Sequence, residues 1–218
     1  MFRFKPLHEK GLTKLFVGGM HGDECEHTAP LLNMLAEKVR EEGEYCGEIV
    51  IIPCLIRRGA YVSVLRREYY ERAEGRRLLS LVRELKPSFY FELHAYGIHA
   101  LSRLTAEDRL EREGAPPLVE ICECVLIGSV SPILRREFGK DDFCLTIELP
   151  KWRLDAINAY DRVVGCVLDI LTAGLHACTR EDILRFLRRR YPAQLSEAER
   201  LFKTLHDAYY DTLHDDAY

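Results

Sequence analysis

The stretch Leu15-Phe-Val-Gly-Gly-Met-His-Gly-Asp-Glu24 constrains this chain more than any other. An unbroken apolar run, of the kind found in strands covered on both faces, passes into Gly18 and Gly19. The turn that follows carries His21 and Glu24. Glycines permit backbone conformations and close approaches that a Cβ resists. An imidazole and a carboxylate three residues apart on such a turn are two ligands for one cation. Two further apolar segments end in residues able to join them, Phe89-Tyr-Phe-Glu-Leu-His94 and Phe143-Cys-Leu-Thr-Ile-Glu-Leu-Pro150.

Hydrophobic periodicity gives the connecting elements. Leu12 to Val17 reads as a strand, Glu26 to Glu42 as a helix with Leu31, Leu32, Leu35 and Val39 on one stripe, and Glu48 to Leu55 as a second buried strand. Arg57 to Gly75 reads as a long functional loop with a helical turn, followed by a helix over Arg76 to Leu85 and a strand over Ser88 to Leu93. A short strand is expected over Ile98 to Arg103, and a helix over Thr105 to Glu113 with Thr105 and Asp108 as its capping pair. Val119 to Ile127 is β-rich, Pro132 to Phe138 a short helix, Phe143 to Leu149 a strand, and Leu154 to Leu171 a long amphipathic helix. This alternation predicts an α/β sandwich around a largely parallel or mixed sheet. Sites in such sheets collect outside the carboxyl ends of strands, and His21, His94 and Glu148 each lie at or near one.

From Thr179 the pattern is purely helical: Thr179 to Arg190, then Ser196 to His214 opened by a Ser196–Glu199 capping box. The 218 residues therefore divide into a catalytic domain over 1–175 and a helical extension over 176–218, with homo-oligomerisation through the extension as one expectation. A net charge of −4 argues against nucleic acid as a partner, and no apolar run of about 18 residues suggests a membrane span. None of the eight cysteines is spaced Cys-x-x-Cys. Cys54, Cys122, Cys124, Cys144 and Cys166 lie in apolar runs as small hydrophobes, and Cys25 reads as buried filler or a soft extra ligand. Reduced thiols with no signal peptide point to the cytoplasm.

Two histidines, a glutamate and an open position form the ligand set of several catalytic zinc sites, and the set is on record for carboxypeptidase A and thermolysin. Zinc acidifies a water it holds and polarises a carbonyl. A second glutamate must then move the proton to the leaving nitrogen. Glu148, a carboxylate in an otherwise apolar strand, is the candidate. Glu92 shares a strand face with His94 and is placed to hold the other imidazole nitrogen.

Gly18-Gly-Met-His-Gly-Asp-Glu24, Glu92-Leu-His94 and Thr146-Ile-Glu-Leu-Pro150 together resemble the signature stretches of the zinc carboxypeptidase superfamily, nearest its succinylglutamate desuccinylase and aspartoacylase branch. The resemblance spans about residues 12 to 172 and is closest to small archaeal members. It implies a three-layer α/β/α sandwich with a mixed, mainly parallel sheet of roughly eight strands. It implies His21, Glu24 and His94 as zinc ligands and Glu148 as the catalytic glutamate. Members carry an Asn-Arg pair and a further arginine that hold a substrate carboxylate. Arg66 and Arg58 stand for these arginines, while Leu65 replaces the asparagine and Glu92 the usual aspartate. The resulting expectation is a zinc-dependent amide hydrolase acting on an N-acyl amino acid or a C-terminal peptide-like bond. The alternative is a non-catalytic metal- or partner-binding protein on the same fold. The plainest alternative for His21 and Glu24 is a cap on the helix that follows them.

Overall fold

The computed structural model describes residues 1–5, 12–155, 157–201 and 203. The apolar runs become strands because both of their faces are covered. In β2 (Thr13–Gly18), β3 (Glu48–Ile52), β4 (Phe89–Tyr96) and β7 (Phe143–Pro150), successive side chains alternate between two apolar layers. Phe16, Ile49, Ile51, Phe91, Leu93 and Ile147 enter one layer. Leu15, Val17, Val50, Ile52 and Tyr90 enter the other.

These four strands lie in the order β3-β2-β4-β7 and are parallel. β1 (Phe2–Phe4) extends the β3 edge antiparallel, and a hairpin of β5 (Val119–Cys122) and β6 (Val125–Gly128) extends the β7 edge antiparallel. The described residues thus form a seven-stranded mixed sheet, where the resemblance implies roughly eight strands.

From β2 the chain crosses to β3 through α1 (Cys25–Glu42), which packs Leu31, Leu32, Leu35 and Val39 on the first layer. It returns past β2 to β4 through α2 (Arg67–Glu71) and α3 (Ala73–Leu85), whose Tyr69, Tyr70, Leu78 and Val82 cover the second. Crossovers of one hand that run in opposite directions fall on opposite faces, so the three layers follow from this reversal. The reversal also opens a crevice between the carboxyl ends of β2 and β4. α8 (Ile157–His176) lies beside α1, and Lys14, buried in β2, donates from Nζ to the Gly174, Leu175 and Ala177 carbonyls near its end at 2.5–2.8 Å. A cation at a helix C-terminus offsets the partial negative charge there.

Several boundaries differ from expectation. β3 stops at Ile52 because Pro53 has no N–H to give the ladder. The strand expected over Ile98 to Arg103 is a 3₁₀ turn (Ile98–Ala100) running into α4 (Leu101–Leu104). Leu101 and Leu104 stand at helical spacing, and both pack against the cluster of Tyr96, Leu118 and Leu126. Thr105 closes α4, its hydroxyl donating to the Leu101 carbonyl, so the next helix, α5, spans only Arg109–Glu113. The short α6 (Pro132–Arg135) ends before Phe138, and the helix expected from Leu154 splits into α7 (Lys151–Leu154) and α8. α9 (Arg180–Arg190) is capped by Thr179 and Asp182. Ser196 does not open a helix but lies within helical residues 192–201, which begin at Pro192. Ile183, Leu187, Tyr191 and Leu195 join the sheet's first layer, so packing continues across residue 176. The rest of the helix expected to His214 lies outside the described residues.

The cysteines also depart from expectation. Cys25–Cys54 and Cys46–Cys178 are disulfides, while Cys122, Cys124, Cys144 and Cys166 are free. Partners 29 and 132 residues apart leave no local spacing to read. The inference of a reducing compartment therefore loses its premise. No helix among the described residues is long and apolar enough to cross a membrane.

Gly75 sits inside the first turn of α3 because the end of α2 leaves no room for a side chain, and a Cβ there would lie 2.1 Å from the Tyr69 carbonyl oxygen. Gly75→Ala is expected to lower stability by about 2 kcal/mol, measured as a shift in the denaturant midpoint.

Candidate metal centre

The β2–α1 turn is shaped by its glycines and held by its neighbours. Gly19 has φ +59°, and its N–H donates to the Thr28 hydroxyl at 2.8 Å. The Met20 carbonyl accepts from the buried Tyr69 hydroxyl at 3.0 Å. Glu24 occupies the N-cap position of α1, yet its side chain does not cap the helix. Its Oε2 instead accepts from the His21 N–H and its Oε1 from the Ala95 N–H, each at 3.3 Å. The helix-cap alternative therefore gives way to a carboxylate turned inward between two strand ends.

Glu24 Oε1 also lies 3.3 Å from Nδ1 of both His21 and His94. Two ligands on a tetrahedral zinc with bonds of about 2.0–2.1 Å stand roughly 3.3 Å apart. His21 Nδ1 is buried and makes no hydrogen bond, as expected of a nitrogen kept for another partner. His21, Glu24 and His94 are all buried, and this trio can hold a metal ion.

The other side of His94 faces Glu92, with Nε2 to Oε1 at 3.5 Å. Glu92 is fixed in turn by the Tyr90 hydroxyl at 2.9 Å and the Thr146 hydroxyl at 2.6 Å. Burial works against a charged His94 ring, but Glu24 and then Glu92 outweigh it and hold the imidazole's pKa well above its ordinary value. His21 goes the other way, pushed down to about 4 by burial, with His94 adding to the fall. Burial also opposes ionisation of Glu24, yet His94, His21 and the Ala95 N–H overcome it and keep this carboxyl below its usual range. Without metal, a proton on His94 thus sits where a cation would otherwise balance the two carboxylates, and the two compete.

Glu148 is the register partner of His94 across β4 and β7, and it shares the sheet face of Glu92, His94 and Thr146. Burial pushes its carboxyl up to about 7, with Glu24 adding to the rise and His94 opposing it. These groups line a cleft of about 250 Å³. Arg58 and Arg66 do not reach it. Arg58 is exposed, 3.9 Å from Glu26, and Arg66 is an exposed residue at the start of α2. Leu65 does line the cleft, as do Arg103, Arg109 and Lys151. Arg103 and Arg109 both bind Glu113, at 2.7 and 3.1 Å, and Lys151 pairs with Asp23. Nothing in the sequence marks these three cations, because each is local to a short helix or its edge, with no motif around it. Tyr61 and Tyr96 line the walls.

The Glu148 carboxyl holds its proton more tightly in the folded chain than in the unfolded one. The Glu148 contribution to the stability of metal-free protein should therefore fall as pH rises from about 4.5 to about 7, against the opposite slope from His21, whose imidazole is pushed down to about 4. Thermal unfolding of metal-free Glu148→Gln across this range is expected to lack that part of the slope.

Residues 9–207 match the family described as "Uncharacterized protein conserved in archaea (DUF2119)". The chain is similar to "Uncharacterized protein MJ0501" of Methanocaldococcus jannaschii, at 39% identity over 199 residues, which cover 91% of this chain and 92% of the relative. The chain belongs to this archaeal DUF2119 family.

Proposed function

We propose that this chain is a zinc-dependent hydrolase that cleaves an amide bond in a small carboxylate-bearing substrate, either an N-acyl amino acid or a C-terminal peptide-like bond. The observation that carries this reading is the approach of His21 Nδ1, Glu24 Oε1 and His94 Nδ1 to one point, with Glu148 on the adjoining register position. Two imidazoles and one carboxylate suit zinc, and the ligand set agrees with the resemblance to the zinc carboxypeptidases.

When bound, zinc would act as a Lewis acid, polarising the scissile carbonyl and acidifying water beside it. Glu148 takes the proton from the attacking water and passes it to the leaving nitrogen. Burial raises the proton affinity of this carboxyl, which suits it to take up a proton and pass it on. Glu92 keeps the His94 ring oriented with Nδ1 toward Glu24. In place of Arg58 and Arg66, Arg103 and Lys151 receive the substrate carboxylate at the cleft wall. Arg109, buried and bonded to Glu113 and the Pro116 carbonyl, holds that wall in place.

Elemental analysis of purified wild type is expected to give about one zinc per chain, lost in His21→Ala and His94→Ala. Glu148→Gln should retain zinc and lose at least about a hundredfold in kcat on whichever N-acyl amino acid or short peptide the wild type cleaves. Arg103→Ala should raise KM, and Arg58→Ala should leave it unchanged. Full turnover in Glu148→Gln would remove the hydrolase reading. Zinc binding with no turnover on any substrate of that panel would favour a non-catalytic metal protein.

A further inference from the structure

Cys25 directly follows the ligand Glu24 at the start of α1, and its disulfide partner Cys54 lies just beyond the end of β3. The bond therefore joins the ligand-bearing helix to the segment over residues 53–66, which forms no helix or strand. That segment is hydrogen-bonded to the glycine turn, with the Leu55 N–H donating to the Gly18 carbonyl at 2.8 Å and the Ile56 N–H to the Gly19 carbonyl at 2.9 Å. Gly19 itself is enclosed by the disulfide, since a Cβ there would meet Cys25 Cβ and Cys54 Cα, each at 3.1 Å. Farther along the same segment, the Tyr61 ring stands edge-on to His21 with centroids 4.6 Å apart. One covalent bond thus fixes the backbone beside Glu24, the turn carrying His21 and the strap above His21. Both of its cysteines are half-buried rather than sealed in the core.

We infer that Cys25–Cys54 is a redox-reversible site that controls retention of the metal, an inference that rests on the metal reading above. The reductant is a dithiol. One of its thiolates attacks a sulfur of the pair, the Cys25–Cys54 bond breaks, and a mixed disulfide forms. Its second thiol then displaces the remaining cysteine, so the dithiol leaves oxidised by two electrons and its two protons end on Cys25 and Cys54. Once reduced, the start of α1 and the strap are joined only through hydrogen bonds and packing. Glu24 and His21 then lose part of the preorganisation that holds Glu24 Oε1 3.3 Å from Nδ1 of both His21 and His94. The opposite outcome is also chemically open, because the freed thiolates could join the metal as soft ligands. The enclosure of Gly19 by the bond favours loosening.

The test uses full-length Cys46→Ser/Cys178→Ser protein, in which Cys25–Cys54 is the remaining disulfide. Its zinc affinity is measured by competition with a chromophoric chelator, before and after reduction with a phosphine that is then removed without air. Alkylation and mass spectrometry report the state of the pair. Reduction is expected to weaken zinc binding about tenfold or more while the circular dichroism spectrum stays native. Cys25→Ser/Cys54→Ser, added to the same background, should show the weaker affinity in both conditions. If that variant does not fold, the chemically reduced arm decides alone. Affinities that agree within about twofold, or tighter binding after reduction, overturn the inference and leave the metal reading standing. Zinc loss that appears only with loss of the native spectrum also overturns it. No zinc uptake in either state overturns the inference together with the metal reading.

Discussion

The parallel pairing of β4 with β7 is the constraint on which the rest of the molecule depends. Its register places His94 opposite Glu148 and Glu92 opposite Thr146, one step apart on a single face. Alternation then sends Phe91, Leu93, Ala95, Leu145, Ile147 and Leu149 to the opposite layer. A slip of one residue would carry the polar set into the hydrocarbon beneath α1 and α8 and turn the apolar set toward the cleft. Core and site are thus two faces of one register, and neither can change alone.

The polar face is tolerable only because its charges answer one another. Glu24, Glu92 and His94 are all buried, and an isolated buried charge is costly. Here one imidazole lies between two carboxylates, those carboxylates accept from the Ala95 and His21 amides and from the Tyr90 and Thr146 hydroxyls, and Glu148 avoids the cost by holding its proton up to about 7. Such a cluster adds little to stability relative to apolar packing. Its arrangement is understandable as a seat for a cation that takes the place of the proton on His94.

The site was more legible in the sequence than its surroundings. His21, Glu24, His94 and Glu148 could be picked out because strand ends in a parallel sheet necessarily lie along one edge, so three apolar runs ending in imidazoles or carboxylates predict a meeting point. Glu92 followed from the period of two along β4. Arg58 and Arg66 have no such support, because the segment over residues 53–66 has no repeat to say which side chains face inward. Folded, that strap turns Tyr61, Ser63, Val64 and Leu65 to the cleft and leaves both arginines in solvent. The pairing of Cys25 with Cys54 and of Cys46 with Cys178 was invisible for a related reason. Each joins the ends of different elements, and their proximity depends on strand order and on where α8 docks.

The sequence by itself determined the local elements, the two-faced burial of the central strands, and the residues able to bind a cation. These depend on periods of two and 3.6 residues and on glycine placement, which act over a few residues. Tertiary structure alone decided which cations stand beside the cleft, which thiols are joined, and that Glu24 turns inward rather than capping its helix. Those outcomes depend on groups far apart in the chain, Glu24 with Ala95 and Lys151 with Asp23 among them. No local pattern encodes such a distance; the order in which the strands pack does.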